Sequence, residues 1–371
     1  MGELRTAAVS SRGIEIDVVV PDGIDDPARP SGGNTYDRRI CRGLTARGWR
    51  VREHAVSGSW PWPDAAAEDA LGRVVRGMPD GAVVLVDGLI ASAVPNVLVP
   101  EAHRLALVVL VHMPLGDGPP GPEVTDARIR EGAVLSSASA IITTSSWTRH
   151  RLVDIYHLSP DQIHVGEPGA DTAALSPGSA RGTELLCVAA VMPHKGHDTL
   201  LASLAIIAGL RWRCVCVGPL ERDPRFVDRL RRRAETDGIA DRIWFTGAQS
   251  TDELDRSYAG ADVVVHASNA ETFGMVVIEA LARGLPVIAS AVGGVPDALG
   301  RTADGRRPGL LVPPGDPHAL SAALASWLND AQLRRRLRQA AQERRTTLSR
   351  WSATTEQVAR VLSRLAAGSD L

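Results

Sequence analysis

Short apolar runs rich in Val, Ile, Leu and Ala alternate with amphipathic stretches along the whole chain. This alternation predicts parallel strands buried beneath helices. In the first half it places strands near Gly13 to Val20, Trp49 to Ala55, Ala82 to Val86, Ala106 to His112, Ala140 to Thr144 and Gln162 to Val165. In the second half strands are expected near Leu185 to Val191, Trp212 to Val217, Ile243 to Thr246, Val263 to Ala267 and Val287 to Ser290. Each half reads as a doubly wound α/β unit. The stretch from Glu167 to Gly182 is rich in Pro, Gly and small residues without apolar periodicity, and reads as the linker. The expected divisions are a first domain over 1–170, a second over 183–348 and a terminal helical segment over 349–371.

Length and composition agree with two soluble domains. The chain has 371 residues, 44% of them hydrophobic and 23% charged. A net charge of −2 offers no global field for nucleic acid or an anionic membrane. Arg38, Arg39, Arg42, Arg47 and Arg50 do crowd the first helix and its exit, so membrane association stays open but is not favoured. The four cysteines, Cys41, Cys187, Cys214 and Cys216, contain no Cys-x-x-Cys pair, and three sit in apolar runs as small hydrophobes. That usage and the lack of a long apolar stretch lead to an expectation of a reduced, cytoplasmic protein.

Chemistry concentrates in Glu271-Thr-Phe-Gly-Met-Val-Val-Ile-Glu279, directly after the apolar run Ala261 to Ala267. It reads as a strand, a turn with a carboxylate, and a helix whose first amides face an anion at Phe273, Gly274 and Met275. From Gly274 to Glu279 a helix rises about 8 Å. The two carboxylates would then flank a phosphate, one suited to a hexose and the other to a ribose. A Glu near a helix start can also be merely a favourable dipole partner. Lys195, at another strand-to-helix turn, is the only lysine in the chain. A compact ammonium reaches a pyrophosphate where a guanidinium fork does not fit. Open doubly wound sheets bind ligands at the carboxyl ends of their strands. His112, Lys195, Gly218 and Glu271 follow such ends, and Gly33 lies in the loop after the first strand.

Other motifs carry less. Gly116 to Gly121 formally satisfies a dinucleotide fingerprint, but Pro119 and Pro120 remove amides that a pyrophosphate needs. His194 and His197 bracket Lys195 without a third ligand beside them, so no metal is expected, and a solvated or phosphate-facing role suits both better. A Schiff base of Lys195 with pyridoxal phosphate has no other support. Asp87 ends the third strand, where it either orients an acceptor hydroxyl or caps the following helix.

Together these residues resemble the family 4 retaining glycosyltransferases, which have the two-domain GT-B fold. The resemblance is densest over residues 184 to 330, through Glu271 and Glu279, Phe273-Gly-Met275, Lys195-Gly196 and Gly309 to Gly315. It continues more thinly through Ser31-Gly-Gly-Asn-Thr35, His112, Ser145 to Thr148 and Glu167 to Asp171. The resemblance implies that Glu271 binds sugar hydroxyls, Glu279 the ribose, and His112 the reacting sugar, with Gly33 closing over the phosphates. It makes His112, Lys195 and Glu271 the catalytic candidates. Gly33, Gly218, Gly247, Phe273, Gly274, Met275 and Glu279 join Lys195 and Glu271 on the donor side, and Asn34, Asp87 and His112 face the acceptor. It also implies that the last helix crosses back to the first domain. Many members carry an Arg where this chain has Ala190. More of the phosphate charge then falls on Lys195 and the helix amides, or an Arg from another loop supplies the difference.

The expected activity is transfer of a sugar from a nucleoside diphosphate sugar to an acceptor hydroxyl, with retention and without a metal or cofactor. A UDP-sugar ranks ahead of a GDP-sugar, and a small-molecule acceptor ahead of a membrane lipid. A nucleotide-sugar epimerase or hydrolase of the same fold and a non-catalytic nucleotide-sugar binder remain open.

Overall fold

The computed structural model describes residues 13–26, 30–118, 121–179 and 181–368. Two six-stranded sheets, all of whose pairings are parallel, organise them. The first comprises β1 (Glu15–Pro21), β2 (Arg50–Val56), β3 (Val83–Asp87), β4 (Ala106–Val111), β5 (Ala140–Thr143) and β6 (Ile163–Val165). The second comprises β7 (Glu184–Val188), β8 (Arg213–Val217), β9 (Ile243–Gly247), β10 (Val263–His266), β11 (Val287–Ser290) and β12 (Gly309–Val312).

The strand orders are β2-β1-β3-β4-β5-β6 and β12-β11-β10-β7-β8-β9. The chain therefore reverses direction across the sheet between β1 and β3, and again between β7 and β10. Loops leaving the carboxyl ends of such a pair part to opposite faces and open a crevice. In the second sheet the two loops are those that carry Lys195 and Glu271. Central strands are buried on both faces, as covered parallel sheets require: every residue of β3, β10 and β11 is buried.

Eleven strands fall where the apolar runs place them, within a few residues. β7 ends at Val188, earlier than the expected Val191, because Ala189 to Met192 turn away as a loop. β12 was not anticipated as a strand. The terminal helix Trp351–Gly368 packs against the helix Gly32–Ala46, and Val358, Ala359, Val361 and Leu362 join the core beneath the first sheet. Thr354 also donates to the Glu167 carbonyl at 2.7 Å. No helix among the described residues is long and apolar enough to cross a membrane.

Candidate functional site

In the second domain, β10 ends at His266 and the chain turns through Ser268 to Gly274 before the helix Met275–Ala282. Gly274 is the N-cap at φ +96°, a left-handed conformation that glycine adopts without penalty, and no side chain caps the helix. Its first amides are thus open to an anion. Phe273 falls outside the helix, contrary to the sequence expectation. Its side chain is buried in the core under β10 and β11, so Gly274 and Met275 stand at the helix start.

Across the crevice, β7 leads into the short turn Pro193–Lys195, then Gly196, then the helix His197–Ile206. Lys195 Nζ donates to Glu271 Oε2 at 2.8 Å, and His266 Nε2 stands 3.5 Å from the same oxygen, at the edge of hydrogen-bonding reach. Burial works against the Glu271 carboxylate, but His266 and Lys195 outweigh it and hold the group well below the usual carboxylate range. Glu271 is therefore a charged acceptor in the free protein. The sequence reading gave Lys195 to the phosphates and Glu271 to the sugar as separate groups; the structure joins them.

Glu279 sits one turn further along the helix. It accepts from the hydroxyl of fully buried Tyr258 at 2.9 Å, and burial raises its carboxyl above the ordinary value. Gly218 and Gly247 lie side by side, because the Gly218 amide donates to the Gly247 carbonyl at 3.0 Å. That carbonyl is already occupied, leaving Gly247 fewer free backbone groups for a nucleobase.

In the first domain, Ser31 caps the helix Gly32–Ala46 by accepting from the Asn34 amide at 3.0 Å. His112, just past β4, lies against the first turn of this helix, where Gly33 falls rather than in the expected loop: a Cβ on Gly33 would stand 3.3 Å from its ring. His112 Nε2 is 2.7 Å from Asp37 Oδ1 and 3.5 Å from Asp87 Oδ2. Burial disfavours the charged ring, but Asp37, by charge and hydrogen bond, and then Asp87 prevail, and His112 is pushed up to about 9. Burial and the neighbouring Asp37 push Asp87 up to about 7. Asp87 both caps the short helix that follows, accepting from the Leu89 amide at 2.7 Å, and faces His112. The cluster thus holds an imidazolium against Asp37 at neutral pH, with Asp87 near half-protonation beside it.

The two halves meet. Ser145 Oγ donates to the Thr272 carbonyl at 2.7 Å, and a Cβ on Gly32 would lie 3.3 Å from Met275 Sδ at the start of the anion-facing helix. His112 and Gly33 are therefore linked through Gly32 to Met275. Arg222, on the loop after β8, donates to the Pro30 carbonyl at 3.3 Å.

Among the described residues two groups could offer metal ligands, each with ligand atoms within 4.8 Å of one another: Asp37, Asp87 and His112, and Cys187, His197 and Cys216. The second is fully enclosed, with Cys187 Sγ 3.8 Å from His197 Nε2. Hydrogen bonding with Cys216 and burial push the Cys187 thiol up and keep it protonated. The solvated or phosphate-facing role expected of His197 is thereby corrected: it is buried in the core, and only His194 is exposed. Of the basic patch on the first helix, Arg38 is held by Asp25 and Glu53 and Arg39 by Asp171. Pro119 and Pro120 lie outside the described residues.

Asp37, His266, Tyr258 and Arg222 were not singled out from sequence. His266 had a signal, a histidine closing an otherwise apolar strand. Asp37 had one too, as an acid between Tyr36 and Ile40 on the buried face of its helix.

Residues 179–344 match the family described as Glycosyl transferases group 1. The D-inositol 3-phosphate glycosyltransferase of Corynebacterium glutamicum (strain R) is 34% identical over 281 residues, covering 70% of this chain and 65% of that protein. The chain spans between about half and just under two thirds of the length of the curated relatives it matches. Sucrose-phosphate synthase from Thermosynechococcus elongatus has a similar fold, with a TM-score of 0.78 at 23% identity over 96% of this chain and 100% of that one. Anabaena Alr3699/HepE in complex with UDP-glucose gives 0.75 at 18% identity over 95% and 100%. These likenesses establish the fold, and the family match falls on the domain that holds Lys195, Glu271 and Glu279. The described chain thus has the two-domain α/β GT-B fold, and its second domain, over residues 179–344, matches the glycosyl transferases group 1 family.

Proposed function

We propose that this protein is a retaining glycosyltransferase, working in the cytoplasm, that moves a sugar from a nucleoside diphosphate sugar to a hydroxyl of a small acceptor. The observation that carries the reading is the Lys195–Glu271 pair beside the uncapped start of the helix Met275–Ala282. It sets a cation, open amides and an ionised carboxylate at the crevice between β7 and β10. In this reading the diphosphate sits on the Gly274 and Met275 amides and Lys195, Glu271 accepts from sugar hydroxyls, and Glu279 accepts from the ribose. A UDP-sugar ranks ahead of a GDP-sugar.

The bond from the anomeric carbon to the phosphate oxygen breaks as the acceptor oxygen bonds to that carbon from the same face. The acceptor proton passes to the departing phosphate. Charge accumulates on the leaving diphosphate, so donors already aimed there lower the barrier. His112, held as an imidazolium by Asp37 and Asp87, faces the sugar from the first domain. No metal is assigned a step. The likeness to D-inositol 3-phosphate glycosyltransferases supports a small hydroxyl-rich acceptor over a lipid.

The test is to incubate the protein with UDP- and GDP-sugars and a panel of cyclitols, sugars and their phosphates. Nucleoside diphosphate release and the anomeric configuration of the product are then read by NMR. An α-linked product from an α-linked donor is expected. An inverted product, or sugar transferred only to water, would count against this reading.

A further inference from the structure

The donor crevice is short of positive charge. Lys195 is the only lysine in the chain and is already bound to Glu271. Position 190, just past β7, is an alanine and supplies no donor from its side chain. A leaving diphosphate carries more charge than one partly neutralised ammonium and a few amides offset.

The loop after β8 is built against that gap. The Val191 amide donates to the Pro219 carbonyl at 3.0 Å, and a Cβ on Gly218 would stand 2.9 Å from the Ala190 amide nitrogen. The loops after β7 and β8 thus run in backbone contact, which sets Arg222, four residues beyond Gly218, on the loop that adjoins Ala190. Arg222 is exposed and forms no ion pair among the described residues. Among the described residues its side chain's hydrogen bond crosses the cleft to Pro30, two residues before Gly32, which in turn abuts Met275 at the helix start. Its charge also reaches His194, beside Lys195: burial, Lys195 and Arg222 together hold that ring below its ordinary value, against the opposing pull of Glu271.

We propose that Arg222 is a second cation for the donor's diphosphate, delivered from the loop after β8 to the space that Ala190 leaves open. This rests on the nucleoside diphosphate reading above. A guanidinium here makes paired hydrogen bonds to phosphate oxygens and keeps its charge at any working pH. Its bond to Pro30 ties it to the first-domain segment that leads into Gly32, across the crevice from Ala190.

The experiment is calorimetric titration of the wild type, Arg222→Ala and Arg222→Lys with UDP, GDP, ADP and dTDP, each beside its own nucleoside. Arg222→Ala is expected to weaken the diphosphate that binds by roughly 10- to 100-fold and leave nucleoside affinity within about twofold. Arg222→Lys is expected to recover part of the loss, since a charge remains without the fork. Equal diphosphate affinity in wild type and Arg222→Ala would overturn the proposal. So would an equal loss for nucleoside and diphosphate, which would make Arg222 an interdomain latch alone. A wild type that binds none of the four diphosphates would overturn the donor reading itself, and with it this proposal.

Discussion

Lys195 Nζ and Glu271 Oε2 lie 2.8 Å apart, so the single lysine of the chain is paired with a carboxylate before any donor arrives. The pair is largely shielded, with side chains 23% and 16% exposed, so the desolvation of both charges offsets much of their attraction and its worth as a stabilising contact is modest. Its consequence is orientation: the ammonium is fixed at the crevice, and an arriving phosphate shares it with Glu271 without having to order a free side chain.

Lys195→Ala should lower turnover more than it lowers donor affinity. Removing one preorganised donor to a developing anion costs about 10²- to 10³-fold in kcat. Steady-state kinetics separates the two effects, and unchanged turnover would refute the leaving-group role.

Glu279 and Tyr258 separate binding from stability. Glu279→Ala removes the proposed ribose ligand and also leaves the buried Tyr258 hydroxyl without its acceptor, a loss of about 1–3 kcal/mol. Donor affinity and melting temperature should fall together. Tyr258→Phe removes only the hydroxyl, so it should lower stability less and leave the carboxylate to bind donor. Equal loss of donor affinity in the two variants would contradict the assignment of Glu279.

The His112 cluster makes stability depend on pH. His112 is raised from 6.5 to about 9, so its contribution is fully present below pH 6.5 and is lost as pH rises through about 9. Asp87 is also raised, from 3.8 to about 7, so its protonated form favours folding at low pH and that contribution is lost through about pH 7. Both act in one direction. The melting temperature should decline from about pH 6 to 9.5, and Asp37→Asn should flatten the upper part of that decline by removing the main partner of the imidazolium. A profile that Asp37→Asn leaves unaltered would show that the pair does not set the charge of His112.

Much of this architecture was legible in the chain because parallel strands covered on both faces must be nearly continuous apolar runs. β12 escaped because Gly309–Val312 is only a short run between Pro308 and Pro313, and such a run reads equally well as a turn. The location of Lys195 and Glu271 at strand ends followed from sequence order, but their bond did not. It depends on β7 and β10 being neighbours across 76 residues of chain, which only the strand order reveals. The same holds for His112 and Asp37, which are brought together from a strand end and a helix interior. His197 misled because its neighbours in sequence are polar and glycine, while its place as the first residue of a helix turns it into the core.

The most direct test of the central claim is thermal stabilisation of the protein by UDP, GDP, ADP, dTDP, their sugar conjugates and NAD. A ligand at a hundred times its dissociation constant adds about 2.7 kcal/mol. Stabilisation by one nucleoside diphosphate and its sugars, strongly reduced in Glu279→Ala, is the predicted result. Stabilisation by NAD alone, or a nucleotide shift that Glu279→Ala leaves intact, would contradict the assignment of this crevice to a nucleotide-sugar donor.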